Sequence, residues 1–210
     1  MSPSPLTRFA APIAITAAAL VILTRIVSIL NVPADGDALK AYVVGTTHAV
    51  TSVASLVAFA MLILALVALD GRRDRAAGTL SAVGVAAALI GTVFMTGDWW
   101  YEAFSVPWMA DIAPSAFETG AAGRLLVGGL ASFALFAVGW ALYAIASLRE
   151  GTFPTAISAT ILVGGIASGL PFGSAYLYGN IVLGLGIGWL GIWVMRTRSA
   201  SAGAASALPA

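Results

Sequence analysis

The chain has 210 residues, of which 60% are hydrophobic and only 9% are charged, and its mean hydropathy is +0.98. Soluble domains carry about 25% charged residues, so this composition excludes a water-soluble domain and predicts an integral membrane protein whose first partner is the lipid bilayer. The absence of cysteine and the single histidine exclude thiolate metal sites, iron–sulfur clusters and an imidazole-rich metal centre. A net charge of +1 gives no general attraction to nucleic acid. We therefore expect no metal, no other cofactor and no nucleic-acid partner.

Apolar segments of about 20 residues are long enough to cross the hydrocarbon core as helices. Six are present, at about 9–30, 41–69, 81–97, 124–148, 155–170 and 175–195. The last two are divided at Gly169 and Pro171, because glycine and proline interrupt helices. The predicted fold class is all-α, a polytopic transmembrane helical bundle that forms one domain over residues 1–198. The Ser/Ala-rich residues 199–210 are predicted to form a disordered cytoplasmic tail.

The charge distribution predicts the orientation, because cytoplasmic loops carry an excess of Lys and Arg. With the N-terminus inside, seven basic residues fall on the cytoplasmic side: Arg8, Arg72, Arg73, Arg75, Arg149, Arg196 and Arg198. Only Lys40 and Arg124 fall outside, where most of the acidic residues lie. The sequence therefore predicts a multi-pass protein of the cell membrane with both termini in the cytoplasm.

A long outer loop is predicted between the third and fourth spans, over residues 98–123. It is rich in aromatic residues, namely Trp99, Trp100, Tyr101, Phe104 and Trp108. Tryptophan and tyrosine at this depth commonly form an interfacial belt. A long loop without secondary structure is also typical of a lid or binding segment. Both interpretations remain open at this point.

Ionisable and polar residues inside the spans define a candidate site, since such groups are costly in lipid and usually face the bundle interior. Arg25 lies near the outer end of the first span. One face of the second span carries His48, Thr51, Ser52 and Ser55. The predicted ligand-binding residues are Arg25, His48, Trp99, Trp100, Tyr101 and Asn180, and the predicted catalytic acids, if the protein is an enzyme, are Asp98 and Glu102.

Each of these residues also has a purely structural interpretation. Arg25 is expected to pair with Asp98 or Glu102 and to hold two helices together. His48 alone, without neighbouring ligands, is more typical of a histidine that hydrogen-bonds a backbone carbonyl or a hydroxyl.

Three functions remain compatible with the sequence. The first is binding or transport of a lipid or another hydrophobic small molecule in an outer-leaflet pocket with polar and aromatic walls. The second is a membrane-embedded isomerase or cyclase of lipids or isoprenoids, in which Asp98 or Glu102 donates a proton. The third is an accessory subunit that contacts a second copy of the chain or another membrane protein. We favour the first.

Overall fold

A computed structural model describes residues 5–33, 36–71, 78–115, 123–171 and 174–206. Every regular element within these ranges is helical, which confirms the predicted all-α class. In chain order the elements are α1 (Pro5–Arg8), α2 (Ala10–Asn31), α3 (Gly36–Val43), α4 (Thr46–Asp70), α5 (Thr79–Trp100), a π-helical turn (Tyr101–Ser105), α6 (Val106–Ile112), α7 (Gly123–Glu150), α8 (Thr155–Ser168) and α9 (Ala175–Ser206).

Five helical stretches of the described chain are long and apolar enough to cross a membrane: Ala10–Asn31, Thr46–Asp70, Thr79–Ile112, Gly123–Glu150 and Ala175–Thr197. They correspond to five of the six predicted spans. The remaining prediction corresponds to α8, which is apolar but has only 14 residues. Its length is about 21 Å at 1.5 Å per residue, whereas the hydrocarbon core is about 30 Å thick.

The long helices form a closed ring. Each of α2, α4, α5, α7, α8 and α9 packs against the next one along the chain, and α9 packs back against α2. A Cβ atom at Gly184 would meet Ile22, and one at Gly191 would meet Ile15. Because the α9 numbers rise as the α2 numbers fall, these two helices are antiparallel.

Glycine controls the distance between α5 and α7. A Cβ atom at Gly91 would overlap the carbonyl of Leu135, and one at Gly139 would overlap the α5 backbone, so the two helices touch at backbone distance here. Towards the end of α5 the same pair diverges, since Gly128, on the same face of α7 as Gly139, has no atom within 4 Å of its Cβ position. The two helices are therefore closed at one end and open at the other.

Aromatic side chains fill the centre of the bundle. The rings of Phe59, Phe136, Trp140, Tyr143 and Phe153 follow one another with centroid distances of 5.6, 6.1, 5.7 and 6.5 Å. The first four of these side chains are almost completely buried. Large rings bury much apolar surface and pack at these distances.

The predicted beginning of the second span is corrected. The segment predicted to begin at residue 41 is interrupted, because Gly45 is extended and separates α3 from α4. The tail predicted to be disordered from residue 199 continues α9 as far as Ser206. Alanine is the strongest helix former, and this tail is rich in it. Residues 207–210 lie outside the described residues.

The predicted outer loop is wrong over residues 98–112, which form the end of α5, the π-helical turn and α6. Pro107 falls in the first turn of α6, where proline is tolerated because the N–H that it lacks would be unpaired there in any case. Residues 116–122 of the predicted loop lie outside the described residues.

Candidate ligand-binding cavity

A cavity of about 890 Å³ lies where α2 and α5 end and where α4 and α7 begin. Small-molecule sites commonly occupy about 300–1,000 Å³ and combine apolar walls with a few polar groups. The wall is mostly apolar, with side chains such as Val93, Met95 and Phe133. Polar side chains reach it from α2, α3, α4, α7, α9 and the stretch around the π-helical turn: Ser28, Tyr42, His48, Thr51, Ser52, Asp98, Tyr101, Glu102, Arg124, Ser132 and Tyr176.

Asp98 lines the cavity from the last turns of α5, beside the hydroxyl of Ser132 on α7. That hydroxyl donates to the carbonyl of Gly128 at 3.1 Å. The same hydroxyl also lies within hydrogen-bonding reach of the Asp98 carboxyl. The Oδ2 atom of Asp98 is buried and has no hydrogen-bond partner among the described residues.

Glu102 reaches the same cavity one helical turn after Asp98. Its carboxyl is largely buried and lies within electrostatic range of both Asp98 and Arg25. In the part of the chain that the structure describes, the side chain of Glu102 forms neither a hydrogen bond nor a salt bridge. The two candidate acids are thus neighbours, and both face the space that a ligand would occupy.

Arg25 is fully buried, and its guanidinium stacks on the indole of Trp99 with Cζ 3.9 Å from the ring centroid. The Nη2 atom donates to the hydroxyls of Ser55 and Thr24. The Nε and Nη1 atoms have no hydrogen-bond partner in the described chain. The predicted ion pair with either candidate acid is therefore wrong among the described residues, because the only bonds of the guanidinium N–H groups are to hydroxyls. Trp99 lines the cavity, whereas Arg25 does not.

His48 is held by the π-helical turn. The N–H of Val106 donates to the carbonyl of Tyr101, five residues back, and so misses Glu102. The next possible donor to the Glu102 carbonyl is residue 107, a proline without an N–H. The Nε2 atom of His48 lies 3.1 Å from that oxygen. A carbonyl can only accept, so this nitrogen carries a proton, and the structural interpretation of His48 is confirmed.

Tyr42 covers this corner of the cavity from α3. Its ring meets the imidazole of His48 edge to face, with 5.4 Å between the centroids. Burial raises the pKa of the Tyr42 phenol above its ordinary value, with the charge of Arg25 opposing and that of Glu102 adding to this effect. The phenol is consequently neutral at physiological pH and can donate a hydrogen bond into the cavity.

The structure brings five of the predicted site residues together around one space: His48, Asp98, Trp99, Tyr101 and Glu102. Trp100 is not among them. Successive helical residues are about 100° apart, so Trp100 faces away from Trp99 and lies with Phe104 and Trp108 on the exposed surface. These three side chains form an exposed aromatic ridge, as the belt interpretation predicts.

Asn180 is fully buried in α9 and does not line the cavity. Its Oδ1 and Nδ2 atoms have no hydrogen-bond partner among the described residues. The contacts that Gly184 and Gly188 make with α2 place Asn180 level with Arg25. Asn180 was correctly predicted to lie at this depth of the bundle, but it does not reach the space that a ligand would occupy.

Several cavity residues were not in the predicted site, among them Tyr42, Ser132, Phe133 and Tyr176. Ser132 had a usable signal, because it lies four residues after Gly128 on one helical face. Phe133 and Tyr176 meet edge to face at 5.5 Å, a contact between α7 and α9 that depends on how the ring closes. No local pattern predicts such a contact.

Protein-family models, curated proteins and solved structures were compared with this chain, and none of them matches it. Among the described residues, no group of three or more His, Cys, Asp or Glu side chains is arranged to hold a metal ion.

Proposed function

We propose that this protein binds or transports a lipid or small amphiphile in the cavity. The observation that carries the proposal is a space of about 890 Å³ with mostly apolar walls, into which Asp98 and Glu102 project without ionic partners. An apolar wall suits a hydrocarbon body, and a few polar groups fix the orientation of a ligand.

The divergence of α5 and α7 supports entry from the side, through the membrane. Val93 and Phe94 of α5, and Leu125 and Leu126 of α7, line the cavity and are also exposed on the outside of the bundle. A molecule dissolved in the bilayer would meet these apolar side chains on its way in. Such a path avoids the cost of transferring an apolar body through water.

In the proposed orientation six helices cross the cell membrane, both termini are cytoplasmic and the cavity lies in the outer leaflet. The excess of basic residues in the predicted cytoplasmic segments supports this. The antiparallel packing of α2 and α9 is what six crossings require, since an odd number would make them parallel. The short α8 then needs local thinning of the bilayer or flanking residues that reach the interface.

Native mass spectrometry of protein purified in dodecyl maltoside tests the proposal. We expect the wild type to retain a co-purified amphiphile. Gly128 lines the cavity and has open space at its Cβ position, so Gly128→Trp should fill the cavity and displace the molecule. Ala131→Trp, on the exposed side of the same helix, is the matched control and should retain it. Equal retention in both variants would contradict a ligand in this cavity.

A second candidate function is proton-dependent isomerisation or cyclisation of an isoprenoid. It is favoured by two carboxyl groups that line a cavity with aromatic walls, without an ionic partner, because aromatic faces stabilise a developing cation. Asp98→Asn and Glu102→Gln separate the candidates. An acid catalyst would lose conversion of a long-chain isoprenoid such as farnesol while still binding it, and a binding protein would convert none in any variant.

A further inference from the structure

The buried charges in and beside the cavity are unequal in number. Glu102 lies within electrostatic range of both Asp98 and Arg25. Arg25 is buried against Trp99 outside the cavity lining and is the only cation of the three. Arg124 lines the cavity but is exposed at the beginning of α7, where water solvates its charge. With Arg25, Asp98 and Glu102 ionised, the formal sum is one positive and two negative charges, a net charge of −1.

Glu102 and Asp98 differ in how far this charge is compensated. Glu102 lies within electrostatic range of Arg25, which offsets part of its charge. Asp98 has Ser132 beside it, and its Oδ2 atom has no hydrogen-bond partner in the described chain. An ionised carboxylate away from water is costly unless it is paired. Asp98 is therefore the group whose partner a ligand would supply.

The walls near this carboxylate are aromatic. Trp99 and Tyr101 follow Asp98 by one and three residues and line the cavity with it, and Tyr176 and Phe133 line it from α9 and α7. Aromatic faces attract cations through the ring quadrupole, most strongly when the cation is desolvated. Trp99 already binds the guanidinium of Arg25 in this way. Ring faces and an unpaired carboxylate together favour an organic cation over an anion.

We propose that the ligand head group is a monovalent organic cation, bound by the carboxylate of Asp98 and the aromatic rings around it. This deepens the proposed function and rests on it. The hydrocarbon part of the ligand lies between α5 and α7, where the walls are apolar. With the cation present, the charges of Arg25, Asp98, Glu102 and the ligand sum to zero.

Two hydrophobic ions of nearly the same shape and opposite charge, tetraphenylphosphonium and tetraphenylborate, provide the test. Their binding is measured by equilibrium dialysis against the full-length protein in lipid nanodiscs, with empty nanodiscs as the blank. We expect the wild type to bind the phosphonium at least tenfold more tightly than the borate. Asp98→Asn should weaken phosphonium binding at least tenfold, and Asp98→Glu should restore most of it.

Asp111→Asn is the matched control, because Asp111 is an exposed acid on α6 outside the cavity. It should leave both affinities within twofold of the wild type. Equal affinity for the two ions, or a phosphonium affinity that Asp98→Asn leaves unchanged, would overturn the cationic head group.

Gly128→Trp distinguishes that failure from failure of the proposed function. If both ions bind equally in the wild type and are lost in Gly128→Trp, the cavity binds amphiphiles without a preference for cations. If Gly128→Trp leaves the binding of both ions unchanged, neither ion occupies the cavity, and both proposals are wrong.

Discussion

The Nε2 atom of His48 lies 3.1 Å from the backbone carbonyl oxygen of Glu102, and this bond joins α4 to the π-helical turn. The oxygen is free because Val106 donates to Tyr101 instead, and because Pro107 has no N–H. π-Helical turns are frequent at functional sites. Here the turn determines the direction in which the Glu102 side chain leaves the helix.

His48→Ala should destabilise the bundle, because it leaves the partly buried carbonyl of Glu102 without its protein donor. The expected cost is about 1–3 kcal/mol, seen as a lower melting temperature in detergent. His48→Gln, whose amide can donate to the same oxygen, should recover part of the loss. Equal melting temperatures for His48→Ala and the wild type would contradict the role of this bond.

Pro107→Ala tests whether the missing N–H of Pro107 leaves the Glu102 carbonyl available to His48. The new N–H at residue 107 can donate to Glu102, so His48→Ala should cost less in this background than in the wild type. We expect a coupling of about 1 kcal/mol in a double-mutant cycle. Strictly additive effects would show that the proline is unrelated to the His48 contact.

The stack of Arg25 on Trp99 predicts a second coupling. A desolvated cation–π contact contributes about 2 kcal/mol, so Arg25→Met and Trp99→Leu should be non-additive by an amount of that order in thermal unfolding. Arg25→Met combined with Glu102→Gln should show a smaller coupling, because these side chains are not in direct contact. A larger coupling between Arg25 and Glu102 than between Arg25 and Trp99 would support the ion pair predicted from the sequence and contradict the stack.

The contacts between α5 and α7 predict that glycine-to-alanine substitutions have opposite effects on stability at different positions. Gly91→Ala places a methyl group against the Leu135 carbonyl, and such overpacking costs about 1–3 kcal/mol. Gly97→Ala and Gly128→Ala place it in open space, where the higher helix propensity of alanine favours the fold by up to about 1 kcal/mol. Melting temperatures of the three variants check this contrast, and similar losses in all three would contradict the divergence of the helices.

Periodicity predicted the helices and one face of the site. His48, Thr51, Ser52 and Ser55 are all buried on the inner side of α4, as their spacing indicates. Hydrophobic pattern is sufficient for such features, since they depend on one helix at a time.

Features that depend on two helices could not be predicted in this way. The stack of Arg25 on Trp99, instead of an ion pair, depends on the rotation of α5 relative to α2. The break at Gly45 and the π-helical turn before Pro107 are local features. Neither is recognised from hydropathy, because the sequence around each is apolar. Trp100 was assigned to the site because a loop was expected at residue 98, and a continuous helix turns its side chain to the outside instead.

Cysteine labelling tests the proposed six crossings. The wild-type chain should not be labelled, because it has no cysteine. Single cysteines at Ser115 and Ser174 should react with a membrane-impermeant maleimide in intact cells, whereas those at Ser2 and Ser201 should react only after permeabilisation. The decisive pair is Ser174 and Ser201. α8 is shorter than the five candidate spans, and in the proposed topology it nevertheless carries the chain across. External labelling at Ser201 but not at Ser174 would show that α8 does not cross and would place the C-terminus outside.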